Sequence, residues 1–304
     1  MKSVVLLTGG SGLLALNWAI AMRDRHSVIL ALHERMVTLA GVESRVIDLG
    51  SVDEILSCLD KTEAALVVHT AGLTSVEACE ADPVLAEYVN VTLAGNVAQA
   101  CAERGVTLAH ISTDHLFSGQ GSFADETRPP DPQNAYGKTK ARAEEEVTEL
   151  CEHALLVRTN FYGWGTSYRR SFSDAIISSL RRGESFSLFR DVFFTPILVE
   201  MLAQAVHDLV DAGGTGIFNV VGDERLSKLE FGQRIARHFQ LDANLIRSGV
   251  LTDRPELVRR PHEMSLSNRK ASELLGRKLG GVDNHLARLF EQEQRQVARD
   301  LGAL

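Results

Sequence analysis

The chain opens on an apolar run, SVVLLT at 3–8, of the kind required by a strand buried on both faces. A helical pattern follows to about Arg25. SVILAL (27–32), SRVIDL (44–49) and AALVVHT (64–70) read as the second, third and fourth strands. Residues 83–104 read as one long helix ending at Gly105, and VTLAHIS (106–112) as the fifth strand. Short apolar runs that alternate with helices predict an α/β fold, a doubly wound parallel sheet with right-handed crossovers.

A proline-rich stretch, DETRPPDPQN (125–134), interrupts the rhythm, because its prolines exclude a helix. A charged helix follows, then a sixth strand, ALLVRT (154–159). Further helical stretches lie near 171–182, 198–211, 227–239 and 284–300, with no fixed-period repeat and no low-complexity linker. The pattern predicts a Rossmann-type dinucleotide-binding domain in residues 1–160, to which the chain returns near 190–225. Residues 161–304 are expected to form mainly a smaller, mixed α/β substrate-binding lobe.

Composition narrows the partners. With 304 residues, 44% hydrophobic and 24% charged, the chain can bury a sizeable core. A net charge of -8 and a pI near 5.7 argue against a nucleic-acid partner. Cysteines 58, 79, 101 and 151 form no CxxC pair, so neither a zinc knuckle nor a redox motif is suggested, and scattered thiols fit a reducing compartment. The ten histidines form no H-x-x-x-H pair with a helpful carboxylate, so no catalytic metal is expected. No apolar run approaches the roughly 20 residues that span a bilayer, and no signal-peptide block precedes the first strand. The expectation is a soluble cytoplasmic protein.

TGGSGLLA (8–15) joins the first strand to its helix. Gly10, Gly12 and Ala15 fit G-x-G-x-x-G/A, and Gly9, Gly12 and Ala15 fit G-x-x-G-x-x-A. Such a turn lets backbone approach a pyrophosphate at a helix N-terminus. Gly9, Ser11, Gly12, Leu13 and Leu14 are thus candidate contacts for NADP(H) or NAD(H). At the end of the second strand, LHERM (32–36), Glu34 could hold a ribose hydroxyl. Arg35, with His33 nearby, could instead meet a 2′-phosphate, or all three could be solvated loop charges. Asp48, followed by Leu49, could accept from the adenine amine or simply form a turn.

AYGKTKARAEEEV (135–147) places Tyr136 and Lys140 on one helix face. A free phenol has a pKa of about 10, and a neighbouring ammonium lowers it. Such a tyrosine can protonate a carbonyl oxygen as hydride reaches the carbon. Lys140 could also hold ribose hydroxyls, and the ARAEEE that follows reads as a solvated face. HISTDHLF (110–117) puts Ser112 and Thr113 at the end of the fifth strand, where ligands sit in such sheets. Thr113 could orient the substrate carbonyl. The pairs Arg169–Arg170, Arg181–Arg182 and Arg259–Arg260 read as surface charge, although one could hold a pyrophosphate.

The glycine turn, the strand-end hydroxyl and the Tyr–Lys helix resemble the extended short-chain dehydrogenase/reductase superfamily, and within it the dTDP-4-dehydrorhamnose reductases. The resemblance is carried by residues 69–101, by ISTDHLFSGQGSFADETRPPDPQNAYGKTKARAE (111–144), by VRTNFYG (157–163) and by RPHEMSLSNRKASELLG (260–276). It implies an NAD(P)H-dependent reductase of a 4-keto-6-deoxy sugar nucleotide, with Thr113, Tyr136 and Lys140 catalytic. It also implies Ala71, Gly72 and Asn160 at the cofactor, Thr74, Val76, Phe161 and Arg260 on the substrate side, and dimerisation as in relatives. His69 stands where the family usually has asparagine, and Phe161 where it often has tryptophan. Sugar-nucleotide epimerases and other ketoreductases share the fold, whereas dehydratases carry Asp-Glu where this chain has Asp114 and His115. Asp114 reads as a turn cap and His115 as a packed loop residue. The regulatory subunit of methionine adenosyltransferase, a non-catalytic relative, is the alternative from another class. The intact Thr113, Tyr136 and Lys140 argue for an enzyme.

Overall fold

The computed structural model describes residues 2–304. The first part of the chain runs through Val4–Thr8 (β1), Leu13–Met22 (α1), Ser27–Leu32 (β2), Glu43–Val46 (β3), Val52–Thr62 (α2) and Leu66–His69 (β4). It continues with Val76–Ala81 (α3), Pro83–Glu87 (α4), Leu93–Arg104 (α5), Thr107–Ile111 (β5), Ala135–Leu150 (α6) and Leu155–Arg158 (β6). Then come Phe161–Tyr162 (β7), Phe172–Arg181 (α7), Phe186–Phe189 (β8), Phe193–Phe194 (β9), Ile197–Leu198 (β10), Val199–Asp211 (α8) and Gly216–Asn219 (β11). Leu226–Ser227 (β12), Lys228–His238 (α9), Ile246–Gly249 (β13), Arg269–Leu275 (α10), Val282–Gln294 (α11) and Val297–Gly302 (α12) complete the fold.

Among the described residues, seven strands form one sheet in the order β11-β6-β5-β4-β1-β2-β3, and every pair in it is parallel. This is the doubly wound α/β fold that the apolar runs predict. Leu6 lies opposite Ile29 on one side and Val67 on the other. Alternate β1 side chains enter opposite core layers, as a two-residue period requires. Val5 and Leu7 pack with Trp18 and Val206, while Leu6 packs with Ile55, Val97 and Val147. Strand order reverses between β1 and β4, which opens a crevice at the strand C-termini.

Three elements depart from the sequence reading. The third strand stops at Val46 and is a short, mostly exposed edge, so Asp48 and Leu49 lie beyond it. The helix expected over 83–104 carries a π-helical turn at Tyr88–Thr92 between α4 and α5. That turn buries Asn90, whose amide nitrogen donates to the Leu73 carbonyl (3.1 Å) and to Thr139 Oγ1 (2.9 Å). The stretch 284–300 divides into α11 and α12 at Gln296, which has a left-handed φ of 66°. The sequence reading passed over α2, although Ser51 caps it and Asp53 and Glu54 lie in its first turn. All four cysteines are buried and unpaired. No helix among the described residues is long and apolar enough to cross a membrane.

Candidate active site

A cleft of about 420 Å³ occupies the crevice between β1 and β4. Gly9, Ser11, Gly12, Leu13 and Leu14 line one wall, and Thr70, Ala71, Gly72 and Thr74 line the other. Gly9 has a φ of +65°, and a Cβ added there would lie 2.7 Å from Ala71 Cα. The two walls approach this closely because the turn carries no side chain at that point. The Gly12 N–H donates to the Gly9 carbonyl at 2.7 Å, and Gly12 is the N-cap of α1. The turn thus presents a helix N-terminus to the cleft.

α6 brings Tyr136 and Lys140 to the same cleft. Asn134 starts the helix by accepting from the Gly137 N–H at 2.9 Å. A Cβ on residue 137 would lie 2.4 Å from the His115 carbonyl oxygen, so glycine lets the first turn press against the loop after β5. The Tyr136 ring meets His115 edge-on at 5.6 Å and packs with Val76, Cys79 and Ala86. Burial pushes the phenol up to about 12, while a hydrogen bond with Thr113 and the Arg169 charge act downward.

Lys140 finds its hydrogen-bond partners on β5. Its Nζ donates to the Ile111 carbonyl (2.8 Å) and lies 3.1 Å from His110 Nε2. Burial pushes the ammonium down to about 8, opposed by the carboxylate of Glu144. ARAEEE is not a solvated face: Ala141, Ala143 and Glu144 are buried, because α6 packs between the sheet and neighbouring helices. Glu144 takes a two-pronged contact from Arg158, with Nε to Oε1 at 3.0 Å and Nη2 to Oε2 at 2.7 Å.

The loop after β5 supplies the other polar groups. The His115 N–H donates to Thr113 Oγ1 at 3.2 Å, and Thr113 Oγ1 donates weakly to Asp114 Oδ1 at 3.4 Å. Asp114 does more than cap a turn: it is buried and accepts from Asn160 Nδ2 at 2.5 Å. Asn160 is thereby held beside Thr113, and Phe161 lines the cleft.

The remaining sequence candidates scatter. Arg35 reaches the mouth: its guanidinium lies 4.1 Å from the centre of the Tyr168 ring, and Tyr168 Oη donates to the Ser11 carbonyl at 2.7 Å. His33 and Glu34 are exposed. Asp48 Oδ1 accepts from the Gly50 N–H (2.8 Å) within the local turn, and the Leu49 carbonyl accepts from Asn96 on α5 (2.9 Å). Val76 sits behind the Tyr136 ring rather than on the cleft wall. Arg260 is ion-paired with Glu77 and lines a separate depression of about 360 Å³.

Two cations stand near the site. Arg169, of a pair that reads as surface charge or as a pyrophosphate contact, lines the cleft and donates through Nη2 to Thr74 Oγ1 at 2.5 Å. Lys228 opens α9, with its Nζ 3.3 Å from the centre of the Phe194 ring and 5.0 Å from that of Phe172. Burial pushes Lys228 down to about 8, opposed by Asp114. The capping box of Ser227 and Glu230 marks the helix start in the sequence, but nothing in it marks the lysine. The Tyr136 phenol, the Ser112 hydroxyl, the Lys140 ammonium and the Arg169 guanidinium line one cleft, a set that can orient a carbonyl, protonate its oxygen and hold an anion.

The family model described as the RmlD substrate binding domain matches residues 1–295. The chain is 30% identical over 288 residues to a protein of Haloferax volcanii named "Probable low-salt glycan biosynthesis reductase Agl14", spanning 93% of this chain and 96% of that one. It is 25% identical over 234 residues to dTDP-4-dehydrorhamnose reductase of Shigella flexneri, spanning 73% and 78%. Among solved structures, dTDP-4-dehydrorhamnose reductase of Bacillus anthracis in complex with NADP superposes with a TM-score of 0.85. That likeness covers 96% of this chain and 100% of the other at 24% identity, and speaks for the fold.

Proposed function

The chain belongs to the RmlD substrate binding domain family, and from that premise we propose that it is an NAD(P)H-dependent reductase of a 4-keto-6-deoxy sugar nucleotide. One observation carries the reading: the glycine turn, Tyr136 and Lys140 converge on a single cleft at the point where strand order reverses. The cleft fits a dinucleotide, since the space a Cβ at Gly9 would need is already taken by Ala71 and the N-terminus of α1 faces inward. Gly9, Ser11, Gly12, Leu13, Leu14, Ala71, Gly72 and Asn160 would border the cofactor, with Lys140 at its ribose. When bound, the nicotinamide supplies hydride to the keto carbon.

The chain's own residues handle the proton. Thr113 orients the carbonyl, and the Tyr136 hydroxyl donates as negative charge develops on the oxygen. A phenol raised to about 12 stays protonated at neutral pH, the form a donor needs. An alkoxide is more basic still, so the transfer runs downhill. On the substrate side we place Thr74, Phe161, Phe172, Arg169 and Lys228, the two cations facing the diphosphate or sugar hydroxyls. Residues 1–160 together with β11 would carry the cofactor, and most of 161–304 the sugar nucleotide. We also place the protein in the cytoplasm as a homodimer, an arrangement that light scattering tests.

The direct test is oxidation of NADPH and NADH, followed by nicotinamide absorbance, with a dTDP-4-keto-6-deoxyhexose as acceptor. Turnover is the expected result. Tight cofactor binding without turnover of any keto sugar nucleotide would overturn the reading and favour a non-catalytic binding subunit. Arg35→Ala is expected to weaken NADPH about ten- to a hundredfold, the range of one charge-assisted contact, and to spare NADH. Equal effects on both would remove Arg35 from the 2′-phosphate.

Turnover is also expected to decline as pH rises through about 8, where Lys140 and Lys228 lose their protons. Both folded values lie below the ordinary 10.5, so the unfolded chain binds more protons between about 8 and 10.5. Stability contributed by these groups therefore rises across that window while activity falls. Rate and melting temperature followed over the same pH range check the sign; rate and stability falling together would contradict it.

A further inference from the structure

We propose that His110 is a positioning residue for Lys140: its neutral imidazole accepts from the ammonium through Nε2 and so aims the remaining N–H at the cleft. The inference rests on the reading that Lys140 serves the cofactor. Thr8, His69 and His110 stand side by side in register on β1, β4 and β5. Thr8 Oγ1 lies 2.9 Å from His69 Nδ1 and accepts from the Thr70 N–H at 3.2 Å. The His69 ring stacks on His110 with centroids 5.4 Å apart and an interplanar angle of 17°. His110 Nε2 lies 3.1 Å from Lys140 Nζ. A row of buried groups thus runs from the residue before the glycine turn to the lysine on the opposite wall.

Donor accounting fixes the tautomer. An ammonium has three N–H groups and no lone pair, so His110 Nε2 must be the acceptor and its proton must sit on Nδ1. Ile111 takes a second N–H at 2.8 Å, which leaves one for the cleft that Lys140 lines. The carbonyl alone would let the lysine chain pivot; a second, rigid acceptor does not. The charged and titratable groups facing Lys140 are His110, His69 behind it, and Glu144, itself held by Arg158. His69 is pushed down to about 3 and His110 lowered as well, both mainly by burial, so the pair stays neutral beside the cation.

A purely space-filling role does not suit this position. His110 Nδ1 and His69 Nε2 are buried with no partner among the described residues, a cost that an aliphatic side chain would avoid. What the imidazole adds is the acceptor at Nε2.

The test reads Lys140 itself. In wild-type protein labelled with 15N-histidine and 13C-lysine, NMR is expected to show His110 as the neutral Nδ1–H tautomer. His110→Leu removes the acceptor and should lower the Lys140 titration by about one to two units, the scale of one hydrogen bond to a charged group. The alkaline limb of turnover should move down by the same amount. His110→Gln, whose carbonyl reaches near the Nε2 position, should hold Lys140 close to its wild-type titration. An Nε2–H tautomer, or a Lys140 titration unmoved in His110→Leu, overturns the proposal. If His110→Leu does not fold, the tautomer and His110→Gln decide: a glutamine variant that drops Lys140 by the same one to two units refutes it. None of these spectra requires turnover, so a failed reductase assay would sink the functional reading while leaving this one standing or falling by itself.

Discussion

Tyr136→Phe is expected to lower turnover of the keto sugar nucleotide about a hundred- to ten-thousandfold, the usual reach of a positioned general acid, while cofactor affinity stays nearly unchanged. The ring packs with Val76, Cys79 and Ala86 and meets His115 edge-on. Phenylalanine keeps those contacts, so the helix start should not move. The variant loses the hydroxyl on the residue that lines the cleft. Because the phenol is held protonated, its removal strips the site of its donor. Steady-state rates beside a fluorescence titration with NADPH check the split: unchanged turnover would remove Tyr136 from the chemistry, and an equal loss of cofactor affinity would point to a structural role.

The largest stability effect is expected at Glu144. Glu144→Leu should cost about 3–5 kcal/mol, because it strands a buried guanidinium. Arg158 is almost wholly enclosed, with side-chain exposure of 2% against 5% for Glu144. Its Nη1 already lacks a partner, and its other near neighbour is the Phe117 ring at 5.5 Å. Removing the carboxylate leaves the cation nothing to answer it. The double change Glu144→Leu with Arg158→Met should recover most of the loss, since apolar side chains of similar volume can replace a buried pair at little net cost. Denaturant unfolding of the single and double variants decides; a double variant less stable than the single would show that the pair stabilises beyond its own desolvation. Glu144→Leu should also lower Lys140 further, since the carboxylate is what holds it up.

Tyr136 and Glu144 sit about two helical turns apart on α6 and were not equally legible. The sheet could be read because strands buried on both faces must be continuous apolar runs, as β1, β2 and β4 are. The glycine turn and Tyr136 could be read because their chemistry lies within a few residues of sequence. Glu144 was misread because KTKARAEEE has a solvated composition; only the packing of α6 on two sides reveals that Glu144 points inward. The π-helical turn at Tyr88–Thr92 has no signature in periodicity, although it places Asn90 against the loop after β4. Lys140 was assigned to Tyr136 because spacing shows which residues share a helix face. It cannot show that β5 offers a histidine to the ammonium. Arg169 and Lys228 come from loops and helix starts far along the chain, and only the fold brings them to one cleft wall and the aromatic pair beside it.

The central claim is hydride delivery to a keto carbon with Tyr136 supplying the proton. Its most direct measurement is product analysis by NMR and mass spectrometry after reaction of a dTDP-4-keto-6-deoxyhexose with cofactor deuterated at the nicotinamide C4. The account predicts one deuterium bound to the sugar C4 in the wild-type product and almost none formed with Tyr136→Phe. Recovery of unlabelled 4-keto sugar with cofactor unoxidised, or equal labelling by the phenylalanine variant, would contradict it.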